Sequence, residues 1–216
     1  FGTYAIDLGA FSPFLYVFQD REFILRIFEE LSGARLLYNY IWIGGVWNDI
    51  TDDQIKRIGT FCNTLDESLK KYHTLVGENK IFISRTSHVG IINKDMAMDF
   101  GATGPILRAA GVNWDLRKTR PYSIYPKLAF DVAVGVGEKG TVGDCWDRYH
   151  VRVREMHESI KIIRQCLAGI EAGPIMGKVS KIIKVPKGEV YMRTECARCE
   201  LGYHLISDGG KKPYRL

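Results

Sequence analysis

The sequence predicts an α+β fold, mainly α. It is expected to form a single, partial domain, with a helical core over about 1–168 and a small antiparallel β-meander over about 186–216. Two long segments, "TDDQIKRIGTFCNTLDESLKKYHTLVG" and "DCWDRYHVRVREMHESIKIIRQCLAG", space their apolar residues three and four apart, the period of a half-buried helix. After a Gly/Pro linker at 169–174, three short runs read as strands. With 46% hydrophobic and 25% charged residues in 216, the chain has the composition of an ordinary globular protein and the length to bury a core.

Residues 1–18 are apolar but interrupted, with Ser12 a candidate N-cap and Pro13 a first helical residue. "DREFILRIFEELSG" reads as a helix: Ile24, Ile27, Phe28 and Leu31 share a face, Asp20 can cap the start and Gly33 can end it. "LLYNYIWIGGVW" is aromatic, with a break at Gly44-Gly45. In the next helix Thr51 and Gln54 form a capping box, and Cys62 lies on the apolar face as a core residue. Residues 80–140 are irregular and rich in Gly and Pro, with short helical or strand pieces. The helix after Asp144 carries Trp146, Tyr149, Val153, Met156, Ile160, Ile163 and Leu167 as one core stripe. "GEVYMRT", "LGYHLIS" and "KPYRL" are the strands, the last two joined by Asp208-Gly209-Gly210.

The net charge of +5 is spread with alternating sign, so nothing marks a nucleic-acid partner. The most apolar stretch is too short and too interrupted to span a bilayer, and no signal peptide is visible. Five cysteines in a chain of this size fit a reducing compartment. The chain opens with Phe1 and ends at Leu216 in strand-like sequence, so a fragment of a longer protein is expected.

Short motifs define no catalytic constellation. Cys196 and Cys199 form a C-x-x-C that could chelate zinc or iron–sulfur, or run thiol chemistry. With no second pair, and with strands rather than a helix around it, the favoured reading is a pair of turn residues without metal. The histidines show no metal-ligand spacing; His150 and His157 are expected on a solvated face. "GVGEKGTVGD" lacks the ending of a phosphate loop and is expected to make a turn. Asp7, between Ile6 and Leu8, must be paired or raised in pKa if it is buried; an exposed or capping Asp is the alternative.

Four long motifs, in order, say more: "GTYAIDLGAFSPFLYVFQDREFILRIFEELSGARL", "TGPILRAAGVNWDLRKTRPYSIY", "GDCWDRYHVRVREMHESIKIIRQCL" and "PKGEVYMRTECARCELGYHLISDGGKKPYRL". Together they resemble the D-subunit family of NADH–quinone oxidoreductase, the respiratory complex I component called the 49 kDa subunit in mitochondria. That family is related to the large subunit of nickel–iron hydrogenases, so a helical core of that kind with a small antiparallel sheet is implied.

The resemblance implies a peripheral-arm protein on the cytoplasmic side of a bacterial or archaeal membrane, inactive alone and without a redox centre of its own. Its partners would be the small subunit that holds the terminal [4Fe–4S] cluster, other peripheral-arm subunits, and the membrane-arm subunits around the quinone channel. NADH and FMN would bind other chains. The substrate would be a quinone, ubiquinone or menaquinone, and its reduction would drive proton translocation elsewhere in the complex. In the family a Tyr and a His from the N-terminal region hold the quinone head group, and this chain lacks that region. The Asp that partners the His falls on Asp7 in "DLGAFSPF", Thr3 matches a cavity-lining position, and Leu15 falls where many members have Phe. A carboxylate beside an imidazole raises its proton affinity and fixes its orientation, readying it to protonate reduced quinone.

Three positions depart from the pattern. Leu37 in "GARLL" stands where many members carry a His that bonds the terminal cluster, so coupling of cluster potential to pH is expected to be weak; redox titration of the assembled cluster at several pH values checks this. Trp42 replaces the usual Arg before "IGG". Cys199 takes a family Gly position and Cys196 a variable one, so the C-x-x-C reads as drift on a hairpin segment. The alternatives are the same type of subunit in a complex fed by ferredoxin or another donor, a zinc-binding interaction module on Cys196 and Cys199, and a truncated, non-functional copy.

Overall fold

The computed structural model describes residues 1–180, 182, 183 and 185–216. The α+β, mainly α class is what forms. Three long helices pack together: α2 (Phe11–Ser32), α3 (Asp52–Tyr72) and α8 (Cys145–Ala168). Ahead of them lies the short α1 (Gly2–Asp7). Between α2 and α3 lies a two-residue-per-strand ribbon, β1 (Ile41–Trp42) and β2 (Gly45–Val46). Short helices α4 (Lys80–Thr86), α5 (Lys94–Asp99), α6 (Gly104–Ala109) and α7 (Leu116–Thr119) fill the irregular region, and among the described residues no strand forms there. β3 (Gly188–Glu195) and β4 (Glu200–Ser207) make an antiparallel hairpin.

Local signals position the long helices. Thr51 Oγ1 accepts the Gln54 N–H at 3.3 Å and Gln54 Oε1 accepts the Thr51 N–H at 2.9 Å, so the expected capping box starts α3. Gly33, left-handed at φ 78°, ends α2 as expected. The start of α2 differs. The helix runs unbroken from Phe11 with Ala10 as its N-cap, so neither Ser12 nor Asp20 caps it. Pro13 fits the first turn, where its missing N–H costs nothing. Asp20 sits mid-helix, and its carboxylate accepts the Tyr72 hydroxyl at 2.7 Å, tying α2 to the end of α3.

α8 is the central helix. Trp146, Tyr149 and Val153 pack with Val76 and Phe82, while Ile160 packs with Cys62 and Leu69 of α3. Val151, outside the predicted stripe, is buried with Ala109 and Ala133, so α8 buries a second face. Ile163, inside the stripe, is exposed. The "GVGEKGTVGD" loop does make a turn, caged by two buried carboxylates. Asp147 accepts the Gly137 N–H at 2.9 Å; Asp144 accepts the Thr141 and His88 N–H groups, each at 2.9 Å.

The meander loses its third strand. "KPYRL" contributes a single bridge, Ile206 with Arg215, because Pro213 offers no N–H to a ladder. His150 and His157 also depart from a solvated face. The His150 ring is 4.6 Å from Trp146 and 5.7 Å from His73, and His157 Nδ1 lies 3.1 Å from Asp66 of α3. Helices on both sides of α8 leave His150 and His157 half-buried rather than on an open face.

Candidate functional site

α1 and α2 meet at a sharp corner. Gly2 and Ala5, three residues apart, are buried; a Cβ on Gly2 would meet Phe14 and Val17 at 3.5 Å, so α1 lies close on α2. Tyr4 donates to the Cys145 carbonyl at 2.9 Å, joining the corner to the start of α8. Arg85 donates to the Leu8 carbonyl at 2.7 Å, and Gly9 takes φ 89° to turn the chain into α2. Fixing Gly2, Ala5 and Tyr4 inward leaves Thr3 and Asp7, four residues apart, together on the outward face of α1.

Asp7 is therefore exposed, and no cation of the described residues pairs with it. Of the two readings open from sequence, the exposed one holds. On the first turns of the neighbouring α2, Phe11, Leu15 and Tyr16 are each more than half exposed, at 57%, 52% and 52%. The Phe11, Phe14 and Phe18 rings follow one another along this helix, tilted, with centroids 6.2 and 4.1 Å apart. The outward face of α1 thus presents one hydroxyl and one carboxylate, and the start of α2 presents exposed apolar side chains. Such a surface can orient an imidazole or accept a proton next to an apolar ligand.

A second polar cluster escaped the sequence. Arg108 of α6 is 1% exposed. Its guanidinium donates to Glu155 of α8 at 2.6–2.7 Å, to Glu195 at the end of β3 at 2.8 Å, and to the Trp114 carbonyl at 3.0 Å. Glu195 also accepts the Leu116 N–H at 3.1 Å. Burial holds the Glu155 carboxyl above its ordinary pKa despite Arg108 beside it. For Asp115 burial pushes up, but the Arg117 bonds, as short as 2.6 Å, and the Arg108 charge together bring it below the usual range. A polar cleft of about 330 Å³ lies against this cluster, lined in part by Arg117, Arg152 and Cys196. Its members come from segments too far apart for any local motif.

The third feature is an apolar cleft of about 540 Å³ between α2, α3 and α8, lined by Ile24, Ile27, Leu31, Phe61, Ile160 and Ile163 among others. Leu37 and Trp42 lie exposed on or beside the ribbon, at 89% and 42%. Leu37 takes φ 58°, a left-handed conformation in which His is several-fold enriched and Leu is not.

The donor set for a metal or cluster is dispersed. Cys62 is buried in α3, Cys145 opens α8, Cys166 lies near its end, and Cys196 and Cys199 flank the β3–β4 turn. Among the described residues no group of three or more His, Cys, Asp or Glu is placed to hold an ion. No described helix is long and apolar enough to cross a membrane.

These features define a mainly helical protein with extensive exposed apolar surface. The chain belongs to the family of the respiratory-chain NADH dehydrogenase 49 Kd subunit, whose model matches residues 7–184 and 177–216. It is 49% identical over 211 residues to the NADH-quinone oxidoreductase D subunit of Chlorobaculum tepidum, covering 96% of this chain and 53% of that protein. The corresponding D subunits of Bacillus cereus and Desulforamulus reducens are 47% and 46% identical, each over 100% of this chain and 58% and 57% of their own length. The chain thus spans a little over half the length of the curated relatives it matches.

Proposed function

We propose that this chain serves as part of the quinone-site scaffold of a membrane-associated NADH:quinone oxidoreductase. The observation that carries the reading is the α1–α2 corner, which exposes Asp7 and Thr3 on α1 and the apolar Leu15 at the start of α2. The names of the relatives, each the D subunit of an NADH-quinone oxidoreductase, supply the reaction class. The substrate is then a quinone, which the exposed apolar side chains of α2 suit. On this reading the [4Fe–4S] cluster that feeds it belongs to a neighbouring small subunit.

Asp7 acts as a positioning residue. In the assembled site it holds a histidine from the part of the family's length that this chain does not span. It keeps that imidazole protonated and aimed as electrons reach the quinone. Docking on the other subunits makes the protein peripheral to the membrane, on the cytoplasmic side, and ties quinone reduction to cation pumping elsewhere in the complex. On this reading the chain has no redox centre of its own and is inactive alone.

The test is Asp7→Asn in the whole complex. Quinone reduction is expected to fall about tenfold or more, the scale on which positioned proton donors act. Oxidation of NADH by an artificial one-electron acceptor should be unchanged. An unaltered quinone rate removes Asp7 from the site; equal loss of both rates shows an assembly defect instead.

A further inference from the structure

The β3–β4 turn brings Cys196 and Cys199 face to face. The register runs Thr194 with Leu201 and Glu195 with Glu200, so the next pair across the hairpin is Cys196 with Cys199. The Cys196 N–H donates to the Cys199 carbonyl at 3.0 Å, closing a two-residue loop of Ala197 and Arg198. Directly opposed residues of an antiparallel pair have Cα atoms about 4.5–5.5 Å apart and side chains on one face, which lies inside the range a disulfide spans. Both thiols are exposed, whereas Cys62 is buried and Cys145 and Cys166 are half-buried.

The turn is also firmly held. Thr103 accepts the Glu200 N–H at 3.1 Å and the Tyr122 hydroxyl accepts the Glu195 N–H at 3.0 Å. Gly104, at φ 61°, comes so near that a Cβ there would lie 2.7 Å from the Cys199 Cα. Glu195 is locked to Arg108. The two cysteines therefore have little freedom to part, and the turn already holds their backbones one hydrogen bond apart.

We infer that Cys196 and Cys199 are a reversible dithiol–disulfide pair that clasps the hairpin turn beside the polar cleft. With a peroxide as oxidant, one thiol attacks a peroxide oxygen as its thiolate, giving a sulfenic acid and a hydroxide that takes up the proton the thiol released, one water in all. The second thiol displaces hydroxide from that sulfur, giving the disulfide and a second water; two sulfurs lose one electron each and the peroxide gains two. An added dithiol reverses the step by exchange. The pair does not depend on the quinone reading, since only the hairpin geometry carries it.

Trypsin cuts after Arg198, between the two cysteines, so the bond can be mapped directly. The full chain is treated with one equivalent of hydrogen peroxide, alkylated and digested. The expected result is one species joining the peptide that ends at Arg198 to the one that starts at Cys199, parted by dithiothreitol. In Cys196→Ser the Cys199 sulfenic acid should persist and be captured by dimedone. Separate peptides with both cysteines alkylated or overoxidised would overturn the inference. So would zinc retained at one equivalent by the two thiols and blocking their oxidation.

Discussion

Burying an arginine costs several kcal/mol unless its donors are met, and Arg108 meets them from α6, α8 and the end of β3 together. Its partners Glu155 and Glu195 lie 47 and 87 residues away in sequence, which is why no pattern of spacing revealed them. Asp7 was singled out for the opposite reason, since a short motif around it matches the family pattern. Sequence left its exposure open, because Ile6 and Leu8 flank it while the helix turns it outward. Arg108→Met leaves two buried carboxylates facing each other, and is expected to cost about 3–5 kcal/mol in urea unfolding. Converting Glu155 and Glu195 to Leu in the same chain should recover most of that loss. A neutral Arg108→Met would mean that water reaches the cluster and screens it.

Among the elements, those with local start and stop chemistry were readable: α3 from its capping box, the end of α2 from Gly33, and β3 and β4 as short strand runs, while the turn signal at Asp208-Gly209-Gly210 led only to a single bridge. What sequence left open was the surroundings of each face. α8 shows this best, for its stripe predicted one buried side and packing supplied two. His150 is one consequence. Its ring lies against Trp146 and His73, with Glu138 at 3.5 Å and Arg154 and Lys139 nearby. Burial holds its pKa below the ordinary histidine value; Glu138 opposes this, and the neighbouring cations add to it. The unfolded chain therefore binds a proton at a pH where the folded chain does not. Stability is full above the unfolded value of 6.5 and is lost as pH falls through the folded one. Replacing His150 with Gln should flatten the thermal-midpoint profile between about pH 7.5 and about pH 5, the range in which histidine changes charge. An unchanged slope would assign the acid sensitivity to another group.

At the scale of the whole molecule, the balance of buried and exposed apolar surface is the informative quantity. Soluble monomers rarely leave contiguous apolar patches larger than a few hundred Å² open to water, and larger ones mark interfaces. Here the cleft between α2, α3 and α8 is lined almost wholly by apolar side chains, and the exposed wall of Phe11, Leu15 and Tyr16 lies on the same helix α2. Helical periodicity located these faces but could not say whether another helix of the chain would cover them, since that depends on how many helices meet and in what order. Water in such a cleft gains no hydrogen bonds from its walls, so an apolar probe should displace it. The isolated chain is therefore expected to bind an environment-sensitive naphthalene sulfonate dye strongly and to self-associate at micromolar concentration. Added salt should strengthen the association rather than weaken it, as apolar contacts require. Ile27→Glu, placing a carboxylate in the cleft, should cut dye fluorescence several-fold and shift sedimentation toward the monomer. A monodisperse chain that ignores the dye would show that the cleft closes in solution, and the apolar faces of α2 and α3 would then be core rather than contact surface.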